Sequence, residues 1–132
     1  MNIKFKNEMH YGNDKVEILS MGDYKGKTFV ILNLRGLHPC AYVESNINYY
    51  ENNNGDEPAH GGFTFYNTLL HWLNKFPEYE DILSKKYVGW DYGHYDDYSP
   101  NINIYGIQRT IDEILDDIEE VIDWLDVKEN DK

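Results

Sequence analysis

The strongest constraint on the fold lies at residues 110–127. Thr110-Ile111-Asp112-Glu113 is a capping box, in which the Thr and Glu side chains each answer a free backbone N–H of the first helical turn. Apolar residues then recur at Ile111, Ile114, Leu115, Ile118, Val121, Ile122 and Leu125, one continuous stripe of a helix. Through Val127 such a helix is about 25 Å long, and Lys128–Lys132 are expected to fray. A stripe of that length has to be covered. The cover comes either from the rest of the chain or from a second copy, in which case Trp124 and Leu125 would help a homodimer.

The rest of the chain offers strands. Ile3–Lys6 alternates apolar and charged residues. Lys15–Met21 and Thr28–Leu34 are β-branched or aliphatic runs, separated by Gly22–Lys27, and read as an antiparallel hairpin with a longer loop. The second run is nearly all apolar and suits a central strand. Cys40–Glu44 resumes as a strand after Gly36-Leu37-His38-Pro39, with Pro39 admissible only at the strand start. Residues 46–60 are polar and Asn-rich, a surface loop. Phe63–Tyr66 reads as a strand, Asn67–Phe76 as a helix capped by Asn67 and stopped by Pro77, and Glu78–Tyr87 as a second short helix with Tyr79, Ile82 and Leu83 inward. Val88–Tyr92 reads as a strand, Gly93–Asn101 as a loop, and Ile102–Tyr105 is ambiguous. The expectation is an α+β fold, a mostly antiparallel sheet of about five strands with the long C-terminal helix packed on one face.

The chain's 132 residues make one domain the default. A 41% hydrophobic and 15% aromatic content is too rich for disorder. One cysteine, Cys40, permits no internal disulfide and fits a reducing compartment. Its setting reads as a small buried hydrophobe, with a catalytic thiol as the alternative. No signal peptide is seen and no apolar run reaches membrane-span length, so the expected location is cytoplasmic. The formal charge of −12 argues against binding duplex DNA or an anionic membrane. That charge is uneven. Gln108–Lys132 holds ten acids and three bases, a net −7, which leaves −5 for the other 107 residues. Acids at i,i+4 repel. They form either a solvated face or an acidic ridge, Asp112, Asp116, Asp117, Glu120 and Asp123, that mimics phosphates toward a basic partner.

Phosphate-binding, dinucleotide-binding, zinc-protease and nucleophile-elbow motifs are absent. No cofactor is expected. The string Gly89–Tyr98 packs four aromatics, His94 and three acids into ten residues. Asp91, His94 and Asp97 are three apart, and only a turn at Gly93 would gather them. Gathered, they could hold a divalent metal, as a weak candidate, or act as an oriented base. Trp90, Tyr92 and Tyr98 could instead wall a ligand pocket, with Asp91, His94 and Asp97 as polar contacts. Otherwise Trp90 is core and Asp91 caps a turn. His38 and His60 sit at apparent strand starts, and Gly61-Gly62 permits close backbone approach to a ligand. Hydrogen bonding within a turn is the alternative for both histidines.

The strings Gly36–Val43 (GLHPCAYV), His60–Thr64 (HGGFT) and Val88–Tyr98 (VGWDYGHYDDY), with the acidic C-terminal helix, resemble a group of small proteins carried by bacteriophages and prophages of low-GC Gram-positive bacteria. The resemblance spans roughly residues 28–125. Asn67–Lys86 looks like an insertion or a diverged part. It implies a viral accessory origin and no particular chemistry. Small phage proteins of this kind are often antagonists of host defence, anti-CRISPR proteins among them, which is analogy.

The leading expectation from these readings is a non-catalytic, phage-encoded antagonist of host defence that sequesters a small nucleotide signal. Its pocket would be built from His38, His60, Trp90, Tyr92, His94 and Tyr98, with Arg35, Arg109, Lys25, Lys27 or the Gly61-Gly62 amides available for phosphate. One alternative is an acidic nucleic-acid mimic that blocks a basic nuclease or Cas protein through the C-terminal helix. The other is a metal-dependent hydrolase using Asp91, His94 and Asp97.

Overall fold

The structure is a computed structural model and describes residues 1–51 and 55–130. Residues 52–54, inside the expected loop 46–60, and Asp131 and Lys132 lie outside the described residues. Six strands, β1 (Asn2–Lys6), β2 (Val16–Tyr24), β3 (Lys27–Leu34), β4 (His38–Glu44), β5 (Phe65–Asn67) and β6 (Tyr87–Asp91), form one sheet in the order β1-β2-β3-β4-β6-β5. Every neighbouring pair is antiparallel. The fold is α+β as expected, with one strand more.

The long helix α2 (Ile111–Asn130) lies over one face of the sheet and contacts β2 and β4. Its stripe, Ile111 to Leu125, is buried against Leu19, Phe29, Ile31, Ala41, Val43, Val88 and Trp90. The capping box forms in both directions, Thr110 N–H to Glu113 Oε1 and Glu113 N–H to Thr110 Oγ1, each 3.1 Å. Leu125 is buried and Trp124 packs edge-on against Tyr49 at 5.2 Å. The stripe is therefore covered by the chain's own sheet.

The helix also runs three residues beyond the expected Val127. Lys128 Nζ reaches Asp56 at 3.2 Å, and Glu129 accepts from Lys27 at 2.8 Å, which holds the last turn that was expected to fray.

The β2–β3 connection is shorter than expected. Tyr24 pairs directly with Lys27, leaving a two-residue turn, Lys25-Gly26, with both φ positive. That geometry matches the twist of an antiparallel pair. The other face of the sheet carries Ile18, Met21, Val30, Leu32 and Tyr87 and is covered by residues 69–83.

The helix expected at Asn67–Phe76 is absent. Asn67 ends β5, and the segment folds as a single 3-10 turn (Leu70–Trp72), a second one opened by Pro77 (Pro77–Tyr79), and a short helix α1 (Glu80–Leu83). The reason is closure. β5 and β6 are neighbours, so the segment must return to its start, and Leu69 N–H donates to Leu83 O at 2.8 Å. A straight ten-residue helix would carry the chain about 15 Å away.

Candidate functional site

Three loops meet at the β6 end of the sheet: 59–62, 93–97 and 107–109. Their common partner is Asp97, a carboxylate only 2% exposed. Its Oδ2 accepts the backbone N–H of His94 at 3.0 Å and lies 2.9 Å from His60 Nε2. An ionised carboxylate only accepts, so His60 carries its proton on Nε2. Asp97 Oδ1 faces Arg109 Nε at 3.5 Å. Burial alone would favour the neutral acid. The His60 hydrogen bond, the His94 amide and the Arg109 charge outweigh it and hold the Asp97 carboxyl below its ordinary range.

The chain turns at Gly93. Gly93 N–H donates to Asp91 Oδ1 at 3.0 Å, and Asp97 N–H returns to His94 O at 2.9 Å. The turn brings the His94 ring to 3.4 Å from Asp91, but gives Asp97 the His94 backbone rather than its imidazole. The three side chains therefore do not converge on one point. Among the described residues no group of three His, Cys, Asp or Glu side chains is placed to hold a metal ion.

His60 stacks on Tyr92 (4.9 Å between centroids, 11° between planes) and meets His94 edge-on at 5.2 Å. Gly61 makes this possible. Its φ is +71°, and a Cβ there would stand 2.4 Å from His94 Nε2. The close approach expected at Gly61 is thus made by the protein's own imidazole. Gly61→Ala should cost about 1–3 kcal/mol through the strained φ and the displaced ring. Urea unfolding checks this, with an unchanged midpoint as the contrary result. Gly62, also at positive φ, only turns the chain back, its N–H donating to Ala59 O at 2.9 Å.

The expected aromatic wall is absent, because Trp90 and Tyr92 are buried in the core beneath α2. Trp90 Nε1–H donates to the Tyr92 hydroxyl at 3.0 Å, which donates to Asp117 Oδ2 at 2.7 Å. Tyr98 packs edge-on against Tyr11 at 4.5 Å. What remains is a cleft of about 640 Å³ lined by His38, His94, Tyr95, Asp97, Ile102 and Asn103, with Leu37, Gly93 and Ser99. Among the described residues no Lys or Arg lines it. Of the cations expected to meet a phosphate, Arg109 faces Asp97, Lys25 binds Asp123 at 2.7 Å, and Lys27 binds Glu129. Arg35 is exposed on the β3–β4 turn, outside the lining.

Cys40 is buried with its Sγ 3.5 Å from His38 Nδ1. Burial, with the nearby Asp91 charge, pushes its thiol up to about 12, so it is a neutral thiol rather than a nucleophile.

The acids of α2 divide into two sets. Asp112 pairs with Lys6, Asp123 and Asp126 with Lys25, Glu129 with Lys27, Glu113 accepts the Thr110 N–H of the capping box, and Asp117 takes the Tyr92 hydroxyl. Asp116, Glu119 and Glu120 are exposed, and no cation among the described residues reaches them. The expected ridge of Asp112, Asp116, Asp117, Glu120 and Asp123 therefore keeps two unneutralised members, and Glu119 joins them.

Sequence reasoning gave Arg109 only as one of several phosphate donors. Its signal was present, since it is the one base between Lys86 and Lys128. A lone cation in so acidic a stretch has to find a carboxylate.

The chain matches no protein-family model, no curated protein and no solved structure. No helix among the described residues is long and apolar enough to cross a membrane.

Proposed function

We propose that this chain is a non-catalytic binding protein of phage or prophage origin. It acts in the cytoplasm of the infected cell by presenting the outer face of α2 to a basic surface of a host-defence protein, such as a nucleic-acid channel. The observation that carries this reading is the uneven neutralisation of α2. Asp116, Glu119 and Glu120 stay exposed and unpaired, while acids nearer the two ends of α2 are answered by Lys6, Lys25 and Lys27. Three adjacent unpaired carboxylates carry a self-repulsion that a basic partner relieves. The phage origin rests on the resemblance of the three strings.

The test is protection of an infecting phage, or of cleavable DNA, from a nuclease-based defence in cells expressing the chain. Replacing Asp116 with Asn and Glu119 and Glu120 with Gln should abolish protection without lowering the melting temperature. It should even raise that temperature slightly, as like charges are removed. Protection undiminished in this variant overturns the reading.

The second reading, sequestration of a small nucleotide signal, has the cleft at His38 and His94 in its favour and lacks a free cation to meet phosphate. Thermal shift decides it. A nucleotide held there at a hundred times its Kd would stabilise the protein by about 2.7 kcal/mol. The acidic-face reading expects no shift with cyclic or ADP-ribose-type nucleotides.

A further inference from the structure

Residues 92–110 join β6 to α2 as a connection without strand or helix, yet this loop is internally braced. Tyr98 N–H donates to Ile107 O at 3.1 Å and Ile107 N–H to Asp96 O at 2.8 Å. Ser99 and Asn103 exchange backbone hydrogen bonds of 3.0 and 3.1 Å, and Asn103 Nδ2 donates to Tyr95 O at 2.8 Å. Gly106 lies so close to the opposite strand of the loop that a Cβ would stand 2.3 Å from the Asp97 carbonyl carbon. Asp97 itself clasps the base through His60 and Arg109. A loop so braced can direct its side chains, and it directs the apolar ones outward. Tyr95 is 93% exposed, Ile102 90% and Tyr105 92%, with Ile104 and Ile107 more than half exposed. Single exposed apolar residues are ordinary, whereas five on one ordered loop are the kind of exposure that marks interaction sites.

We propose that this loop is an apolar anchor that inserts into a hydrophobic pocket, rimmed by Lys or Arg, on a partner protein. Charge selects that occupant. From Tyr92 to Gln108 the chain holds no Lys or Arg and one exposed acid, Asp96, and the exposed acids Glu113 and Asp116, which no cation among the described residues reaches, follow on α2. A second copy would set these acids against themselves, and an anionic bilayer would repel them. A pocket with a basic rim accepts both the apolar tip and its acidic surround. Exposed tyrosines suit such an anchor, because they bury a large surface at small entropic cost. The basic rim rests on the acidic-face reading of α2, whereas the anchor itself stands on the loop.

A photo-crosslinking amino acid at position 105 tests the anchor in the full chain, with the same probe at position 119 reporting on α2. Both are expressed in the bacterial host, and crosslinked peptides are identified by mass spectrometry. Support requires a crosslink from 105 into an apolar pocket flanked by Lys or Arg. It also requires binding of the captured protein to weaken by about tenfold or more in an Ile102→Ser, Tyr105→Ser variant of unchanged melting temperature. A crosslink from 119 alone overturns the anchor and leaves the acidic-face reading standing. A crosslink from 105 alone, meeting the same criteria, supports the anchor against that reading. Adducts between two copies with a dimer in sedimentation velocity, co-sedimentation with phosphatidylglycerol vesicles, or no adduct from 105 each overturn the anchor.

Discussion

Replacing Asp97 with alanine should destabilise the protein by about 3 kcal/mol, roughly 10 °C in melting temperature for a chain of this size. The carboxylate is buried and is the single partner that His60, the His94 amide and Arg109 share. Removing it leaves two hydrogen-bond donors without an acceptor and the permanent Arg109 cation without its counter-charge. His60 and Arg109 are each one-quarter exposed and recover some hydration, so the lower end of the cost of breaking a buried pair applies. Asp97→Asn keeps an acceptor for the His94 amide and should lose about half as much. The pH dependence follows from the lowered carboxyl of Asp97. A group depressed in the folded state contributes fully above its unfolded value, near 3.9, and the contribution is lost as pH falls through the folded value. The melting curves of the protein and its Asp97→Asn variant should therefore stay apart at neutral pH and converge below about pH 4. A gap that persists unchanged at pH 2.5 would show that ionisation of Asp97 contributes nothing.

Trp90→Ala should be the most damaging single change, costing about 3–5 kcal/mol in urea or thermal unfolding. Trp90 fills the core between β6 and α2 beside Phe63, and its indole N–H begins the chain of hydrogen bonds through Tyr92 to Asp117. The substitution opens a cavity and strips the Tyr92 hydroxyl of its donor. Tyr92→Phe isolates the second effect. It should cost only about 1–2 kcal/mol, since the ring stays and the Trp90 N–H and Asp117 lose one partner. A Trp90→Ala protein with wild-type stability and altered ligand response would instead mean that the indole faces a pocket.

Trp90 also illustrates what the sequence disclosed. The strand expected at Val88–Tyr92, found at Tyr87–Asp91, was legible, as were the C-terminal helix, its capping box and the alternating strands, because each is written in local periodicity. Whether an aromatic on such a strand faces core or cleft depends on which side α2 covers, and strand period alone carries no such information. The β2–β3 loop was overestimated because Gly22-Asp23 has the composition of a turn. In the sheet Gly22 stays in the strand, where β1 approaches so closely that a Cβ would stand 2.0 Å from Asn2 O. Residues 67–76 have a helix's apolar spacing, but the need to close β5 back onto β6 prevails over spacing. The site was half legible. Asp91, His94 and Asp97 needed a turn at Gly93, and the turn is there. The partnership of His60 with Asp97, 37 residues apart, is set by how two loops stack and leaves no mark in either segment.

The uneven pairing of α2 with the sheet's lysines has a kinetic consequence. Its acids are answered along the edges that meet Lys6, Lys25 and Lys27 and left open on the outer face, so the molecule carries an oriented field rather than a uniform one. A cationic body diffusing nearby is turned toward that face before contact. For the proposed basic partner, the pairing pattern would govern how fast and in which orientation an encounter begins more than how long it lasts, and over distances beyond about 8 Å physiological salt screens it.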